Sequence, residues 1–183
     1  MCIHEDVEKI LISEEELSKR VSELAEQISK DYEGKKVLIV TLLKGGVVFS
    51  VDLMRKLSIP VEIEFMCVSS YGSSSKTSGN VKIDKDLDQS IKGKHVLLVE
   101  DIIDSGLTLN RVRELLESRE PASLKICTIL DKPSRRKTYV DVEYTGFEIP
   151  DEFVVGYGLD YAQKNRNLPY VGVLKRSVYE NED

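Results

Sequence analysis

Three carboxylates fall in the stretch VEDIIDSGLT, residues 99–108: Glu100 and Asp101 side by side, then Asp104, followed at once by Ser105, Gly106 and Thr108. The second half, DSGLT, leads from an apolar run into a helical pattern. A turn of small and hydroxyl residues at a helix start offers free backbone N–H groups, side-chain hydroxyls and the positive end of the helix dipole, which together make a phosphate cradle. Asp104 inside an anion site needs a different task, and proton exchange with a second substrate is one. Glu100 and Asp101 are acceptors only. Adjacent in extended chain, they point in different directions, which suits two neighbouring ribose hydroxyls or a divalent cation bound through water. The competing reading is a helix-capping loop whose acids are merely solvated, since acids are common near helix starts. Three acids against a phosphate turn at the end of a buried strand weigh against it. The spacings of a Walker A loop and of a GxGxxG fingerprint are absent.

These residues need elements to carry them. Ser13 to Asp31 reads as an amphipathic helix opened by a Ser13/Glu16 capping box, with Leu17, Val21, Leu24, Ala25 and Ile28 inward and Gly34 after its end. VLIVTLL (37–43), the run from Lys94 to Val99 and LKICTIL (124–130) read as strands buried on both faces. VVFSVDLMRKL and Thr108 to Arg119 read as helices. In VEIEFMCV, Val61, Ile63, Phe65 and Cys67 alternate with Glu62, Glu64 and Met66, a half-exposed strand. Ser69 to Asn80, SSYGSSSKTSGN, is small and polar and reads as a mobile loop. VKI is read as a short strand and YVGVL as a last one. Strands alternating with helices predict an α/β fold with a mostly parallel sheet flanked by helices. In such sheets ligands bind beyond the carboxyl ends of the strands, where LLKGG, LVEDIIDSGLT and ILDKPSRR all fall.

A chain of 183 residues with 41% hydrophobic content favours one domain with a real core. A net charge of -6 argues against a general nucleic-acid binder. Three dispersed cysteines, no CxxC and two histidines argue against a disulfide framework or a zinc site; Cys67 and Cys127, in apolar segments, read as small buried hydrophobes. MCIHEDVEK is charged where a signal peptide needs an apolar stretch, and no apolar run reaches the roughly 18 residues of a membrane helix. The expectation is a cytoplasmic protein with no membrane and no nucleic-acid partner.

VLLVEDIIDSGLT resembles the phosphoribosyl-diphosphate (PRPP) motif of type I phosphoribosyltransferases: four apolar residues, two acids, two apolar residues, then D-[ST]-G-x-T. LLKGG, SSYGSSSKTSG, the lysine of LDKPSRR and GFEIPDEFVVGYGLDYAQKNRNLP extend the likeness over nearly the whole chain, toward the hypoxanthine-guanine branch of that family. The resemblance implies a single domain, 1–183, with a small hood formed by the N-terminal segment and roughly 145–183. It implies that Glu100 and Asp101 hold the ribose hydroxyls and that Asp104 is the general acid/base near purine N7. Ser105, Gly106, Leu107 and Thr108 would form the 5′-phosphate loop, although Leu107 stands where some members have lysine. Lys44 and Gly45 would form the pyrophosphate loop after a cis Leu43–Lys44 peptide, with Arg166 a further pyrophosphate contact. Ser70 and Tyr71 would begin a lid. Lys132, Phe153, Val154 and Asp160 would bind the purine, with Glu152 where some members are basic. Mg²⁺ would be the cofactor, with Glu100, Asp101 and Asp160 as its protein ligands.

Taken singly, Lys44 also reads as a turn lysine, Phe153 as a core aromatic, Asp160 as a cap on the turn at Tyr161, and KPSRRK as a solvated loop. The activity implied is transfer of a 5-phosphoribosyl group from PRPP to hypoxanthine and guanine, in a protein that forms homodimers or homotetramers. Two rivals differ in kind. An enzyme for uracil, adenine or xanthine would share the PRPP motif; Lys132 and the C-terminal hood favour 6-oxopurines. A transcription-regulating binding module would need a basic surface and often an added DNA-binding domain, against a pI of about 5.2.

Overall fold

The buried runs form the centre of a six-stranded sheet. The structure, a computed structural model, describes residues 4–70 and 81–180. In chain order the elements are β1 (Val7–Ile12), α1 (Glu14–Asp31), β2 (Val37–Leu43), α2 (Val47–Lys56), β3 (Val61–Ser70), β4 (Val81–Lys85), β5 (His95–Ile103), α3 (Leu107–Glu117), β6 (Ser123–Asp131), β7 (Tyr144–Glu148), β8 (Val154–Val155), β9 (Val171–Leu174) and α4 (Arg176–Tyr179). The large sheet runs β4-β3-β2-β5-β6-β7. Its pairs are parallel except β4 on β3, which is antiparallel. A second, three-stranded antiparallel sheet runs β1-β9-β8.

Both faces of the large sheet are covered, which is why its central strands are apolar at successive residues. Val37, Ile39, Leu97, Val99, Cys127 and Ile129 pack with α1 and α2. Leu38, Val40, Leu42, Val96, Leu98 and Ile126 face the other way, onto Leu109, Val112 and Leu116 of α3. Truncating one of these, Leu98→Ala for instance, costs on the order of 2–5 kcal/mol. The first cluster continues into the small sheet through Ile12, Val154, Val171 and Val173, so one core joins the two sheets. α1 opens with the predicted capping box: the Glu16 N–H donates to Ser13 Oγ, and the Ser13 N–H donates to Glu16 Oε2 at 2.8 Å.

Several expectations are corrected. β5 does not end at Val99; it continues through Glu100 and Asp101 to Ile103, with Ile102 opposite Leu130 and Ile103 opposite Asp131. Met66, placed with the glutamates on the open face of β3, is fully buried on the α3 side. β3 carries the backbone of Ser69 and Ser70 into the stretch read as loop, and β4 is longer than VKI. β1 and α4 were not expected as elements. Tyr144–Glu148, overlapping the stretch from 145 onward expected in the hood, forms the edge strand of the large sheet, so the small sheet draws its C-terminal strands from Val154 onward. Tyr71 and the rest of segment 71–80, expected to be the lid, lie outside the described residues.

Candidate active site

The carboxyl ends of β2, β5 and β6 bring three loops together. Lys132 follows β6, and its N–H donates to the Ile103 carbonyl at 2.9 Å, tying the ends of β5 and β6. Its side chain is 7% exposed, and its Nζ lies 3.7 Å from Oδ1 of Asp104, which is 49% exposed. A buried ammonium requires a charge partner, and Asp104 supplies one while keeping an open side toward the cleft. Asp104, Lys132, Phe153, Val154 and Asp160 line one cavity of about 440 Å³, together with Ile102 and Leu159.

The turn after Asp104 is held from behind. Ser105 O accepts from the N–H groups of Lys137 at 2.9 Å and Thr138 at 3.1 Å. Gly106, at φ +78°, begins α3 without a side-chain cap, and the Leu107 N–H reaches Ser105 Oγ only at 3.4 Å. Leu107 and Thr108 form the first turn of α3, whose N–H groups are left for an anion. Arg136, in the loop behind, pairs with Asp131 at the end of β6. The basic run after Lys132 is therefore partly structural rather than simply solvated.

Glu100 and Asp101 precede this turn. The Asp101 N–H donates to Glu100 Oε1 at 3.0 Å, and the Ile102 N–H donates to Asp101 Oδ1 at 2.8 Å. Burial, with the Asp101 charge beside it, pushes the Glu100 carboxyl well above the ordinary carboxylate range. Such a group calls for a countercharge.

The third loop meets them from β2. The Leu43–Lys44 peptide is cis, as the resemblance implied. A Cβ on Gly45 would lie 1.5 Å from Asp101 Oδ2: only glycine lets the carboxylate settle on this backbone. A buried Thr41–Ser50 hydroxyl pair, 2.5 Å apart, ties β2 to α2 beneath the loop. The segment after β8 closes over it, because a Cβ on Gly158 (φ +101°) would lie 2.1 Å from the Gly45 carbonyl oxygen. Arg166 donates to Gly158 O at 2.8 Å and pairs with Asp160 Oδ1 at 2.8 Å. Gln163 joins the two cations, its Oε1 accepting from Lys44 Nζ at 3.2 Å and from Arg166 at 3.3 Å. Tyr157, Ala162, Gln163 and Asn165 all have positive φ, an accumulation of backbone strain of the kind found at working sites.

The expected residues thus fall into neighbouring groups. Asp160 shares the cleft with Lys132, but it does cap a turn, accepting from the Gln163 N–H at 2.8 Å. Among the described residues, no three acidic, histidine or cysteine side chains gather into a metal cage. The donor chemistry still fits Mg²⁺, which is ordinarily held by one or two carboxylates while substrate phosphates and waters complete its shell. Glu100 and Asp101 are such a pair. Lys44 sits in the turn after β2 with its Nζ tied to Gln163, and Phe153 is 41% exposed, not core. Of Ser70 only the backbone is described. Gln163 and Tyr179 were given no role: Gln163 lies within the stretch quoted for the resemblance but was not singled out, and Tyr179 lies beyond it. A separate cavity of about 380 Å³ between α1, α2 and residues 166–169 includes none of the strand-end acids.

A parallel sheet with this acid pair, phosphate turn and glycine loop defines a class. The chain belongs to the phosphoribosyl transferase domain family, whose model matches residues 8–162. Within it, the chain stands among the hypoxanthine and hypoxanthine-guanine phosphoribosyltransferases. It is 58% identical over 166 residues to the hypoxanthine phosphoribosyltransferase of Haemophilus influenzae, covering 89% of this chain and 93% of that one. It is 53% identical over 176 residues to the hypoxanthine-guanine phosphoribosyltransferase of Bacillus subtilis, covering 96% and 98%. A crystal structure of a hypoxanthine phosphoribosyltransferase from Staphylococcus aureus matches it with a TM-score of 0.94 at 48% identity over 97% of each chain.

Proposed function

We infer that this protein is a purine-salvage enzyme that transfers the 5-phosphoribosyl group of PRPP to hypoxanthine and guanine, giving IMP or GMP and pyrophosphate. The observation that carries the reading is the juxtaposition of Lys132 and Asp104 in one cleft, one turn away from a phosphate cradle, in a chain more than half identical to relatives named for that activity.

The chemistry assigns a task to each group. The bond from ribose C1 to the pyrophosphate oxygen breaks as the bond to purine N9 forms, through a transition state with oxocarbenium character. The amides and hydroxyls of Ser105–Thr108 hold the 5′-phosphate. Glu100 and Asp101 hold the ribose hydroxyls and are the carboxylates that would hold Mg²⁺, which would offset charge on the departing pyrophosphate. Lys44, the Gly45 backbone and Arg166 receive that pyrophosphate. Phe153 stacks on the base, the Val154 backbone meets its edge, and the donor-only ammonium of Lys132 pairs with the 6-oxo group. Asp104 accepts the proton that the base loses at N7 and returns it in the reverse reaction. Ser70 and Tyr71 begin a lid that excludes water from the reacting centre. Glu152, which also lines the cleft, is paired with Lys9 at 2.9 Å.

A homodimer or homotetramer and a cytoplasmic location belong to the same reading. Two described cysteines are free, and no helix among the described residues is long and apolar enough to cross a membrane. The experiment is to incubate the protein with PRPP and Mg²⁺ and offer hypoxanthine, guanine, xanthine, adenine and uracil separately. Nucleotide should form with the first two and scarcely with adenine or uracil; turnover of uracil or adenine alone would overturn the reading.

A further inference from the structure

Phe153 is 41% exposed, yet its ring is not isolated. Tyr161 meets it edge-on at 5.6 Å and 85°, and Tyr179 lies nearly parallel to it at 5.2 Å and 23°. Tyr179 also lines the cleft that holds Lys132 and Asp104. It comes from α4, the short helix that follows β9, and that helix is anchored. The Leu174 N–H donates to Phe153 O at 2.8 Å, the Lys175 N–H to Asp6 O at 2.9 Å, and Lys175 Nζ to Glu5 O at 2.6 Å. The ring of Tyr179 is therefore presented by the same framework that fixes the backbone of Phe153.

We propose that Tyr179 is a positioning residue for the purine, holding the Phe153 ring as a preset platform on which the base stacks. This rests on the reading of Phe153 as the stacking residue. A base that touches both Lys132 and Asp104 shares its cleft with Phe153 and Ile102. In this proposal the base takes one face of the Phe153 ring, and Tyr179, near-parallel to it at 5.2 Å, takes the other. An aromatic ring this exposed and unsupported would lose rotamer freedom when a base bound. A parallel neighbour restricts it beforehand, and offset stacking adds its own attraction. The flat ring, not the hydroxyl, is what the role requires.

The test compares Tyr179→Ala, Tyr179→Leu and Tyr179→Phe with the unaltered protein, measuring KM for hypoxanthine, KM for PRPP and kcat. Loss of the ring should raise KM for hypoxanthine by roughly three- to tenfold, about the weight of one stacked pair, with KM for PRPP changing less than twofold. Phenylalanine should restore the original value and leucine should not. Leucine preserves apolar volume, so it keeps the test open if the alanine variant folds poorly. An unaltered hypoxanthine KM in the alanine and leucine variants would overturn the proposal. So would a lowered KM, which would mark Tyr179 as an obstruction on the base side, or an equal rise for both substrates. If the unaltered protein made no nucleotide from hypoxanthine, the functional reading itself would fall, an outcome distinct from normal turnover indifferent to Tyr179.

Discussion

The Nζ of Lys132 stands 3.7 Å from Oδ1 of Asp104, two opposite charges held just beyond the ends of the adjacent parallel strands β6 and β5. The lysine is nearly buried and the aspartate half open, so the pair is asymmetric: Asp104 balances the lysine and remains available to a ligand. Asp104→Asn should lower kcat by about 10²–10⁴-fold, because an amide cannot exchange the proton. It should also raise KM for the base, because the buried ammonium loses its countercharge. Steady-state kinetics with hypoxanthine decide this; a kcat near that of the unaltered protein at saturating substrates would remove Asp104 from the chemistry.

Gly45→Ala places a methyl group where Asp101 Oδ2 now sits, 1.5 Å from it. Either the carboxylate or the loop must move by about an ångström, a displacement that can cost on the order of 10²-fold where a reacting group is positioned. The expected result is a fall of that order in kcat/KM for PRPP, with a much smaller change in KM for the base at saturating PRPP. Unchanged PRPP kinetics would mean that the contact between Gly45 and Asp101 has no bearing on substrate.

A pH-dependent contribution to stability sits far from the site. The Tyr144 hydroxyl, donating to Asp31 Oδ2 at 2.6 Å, holds the Asp31 carboxyl below the ordinary carboxylate range, with Lys125 at 3.4 Å assisting. Burial and the Asp31 charge push the Tyr144 phenol upward, so it stays a donor. A carboxylate whose pKa is depressed by folding stabilises the protein above its unfolded pKa, about 3.9, and that stability is lost as pH falls through the lower folded value. Tyr144→Phe should therefore reduce Tm at pH 7, and the deficit should shrink below about pH 4. Because Asp31 is partly exposed, its size should stay within about 1 kcal/mol. A deficit that grew on acidification would contradict the assignment.

Much of this arrangement was legible in residue order, and the exceptions have physical causes. The three apolar runs could be read as buried strands because both faces of each are covered. The turn into α3 was legible because hydroxyls, glycine and a helix start occur together. The end of β5 was not, since Glu100 and Asp101 break the apolar pattern while Ile102 and Ile103 still pair with Leu130 and Asp131. Nor was Met66 on the inner face of β3: two glutamates on the same alternation outweighed one apolar residue. β1 was not legible because two of the six residues of VEKILI are charged and it pairs with β9, more than 150 residues away. Gln163 and Tyr179 depend on contacts that no local pattern encodes.

The claim that Lys132 reads the 6-position of the base is tested most directly by kcat/KM for hypoxanthine, guanine and adenine in the unaltered protein and in Lys132→Met. A 6-oxopurine offers a carbonyl acceptor where adenine offers an amino donor, and a desolvated ammonium can pair only with the first. Sites built around a buried hydrogen bond reject mismatched analogues strongly, so the unaltered protein should prefer hypoxanthine to adenine by roughly 10³-fold or more. Methionine keeps the aliphatic reach and removes the donor; it should raise KM for hypoxanthine and guanine, collapse the preference over adenine, and leave KM for PRPP nearly unchanged. Comparable use of adenine by the unaltered protein, or an unaltered hypoxanthine-to-adenine ratio in the variant, would contradict the account.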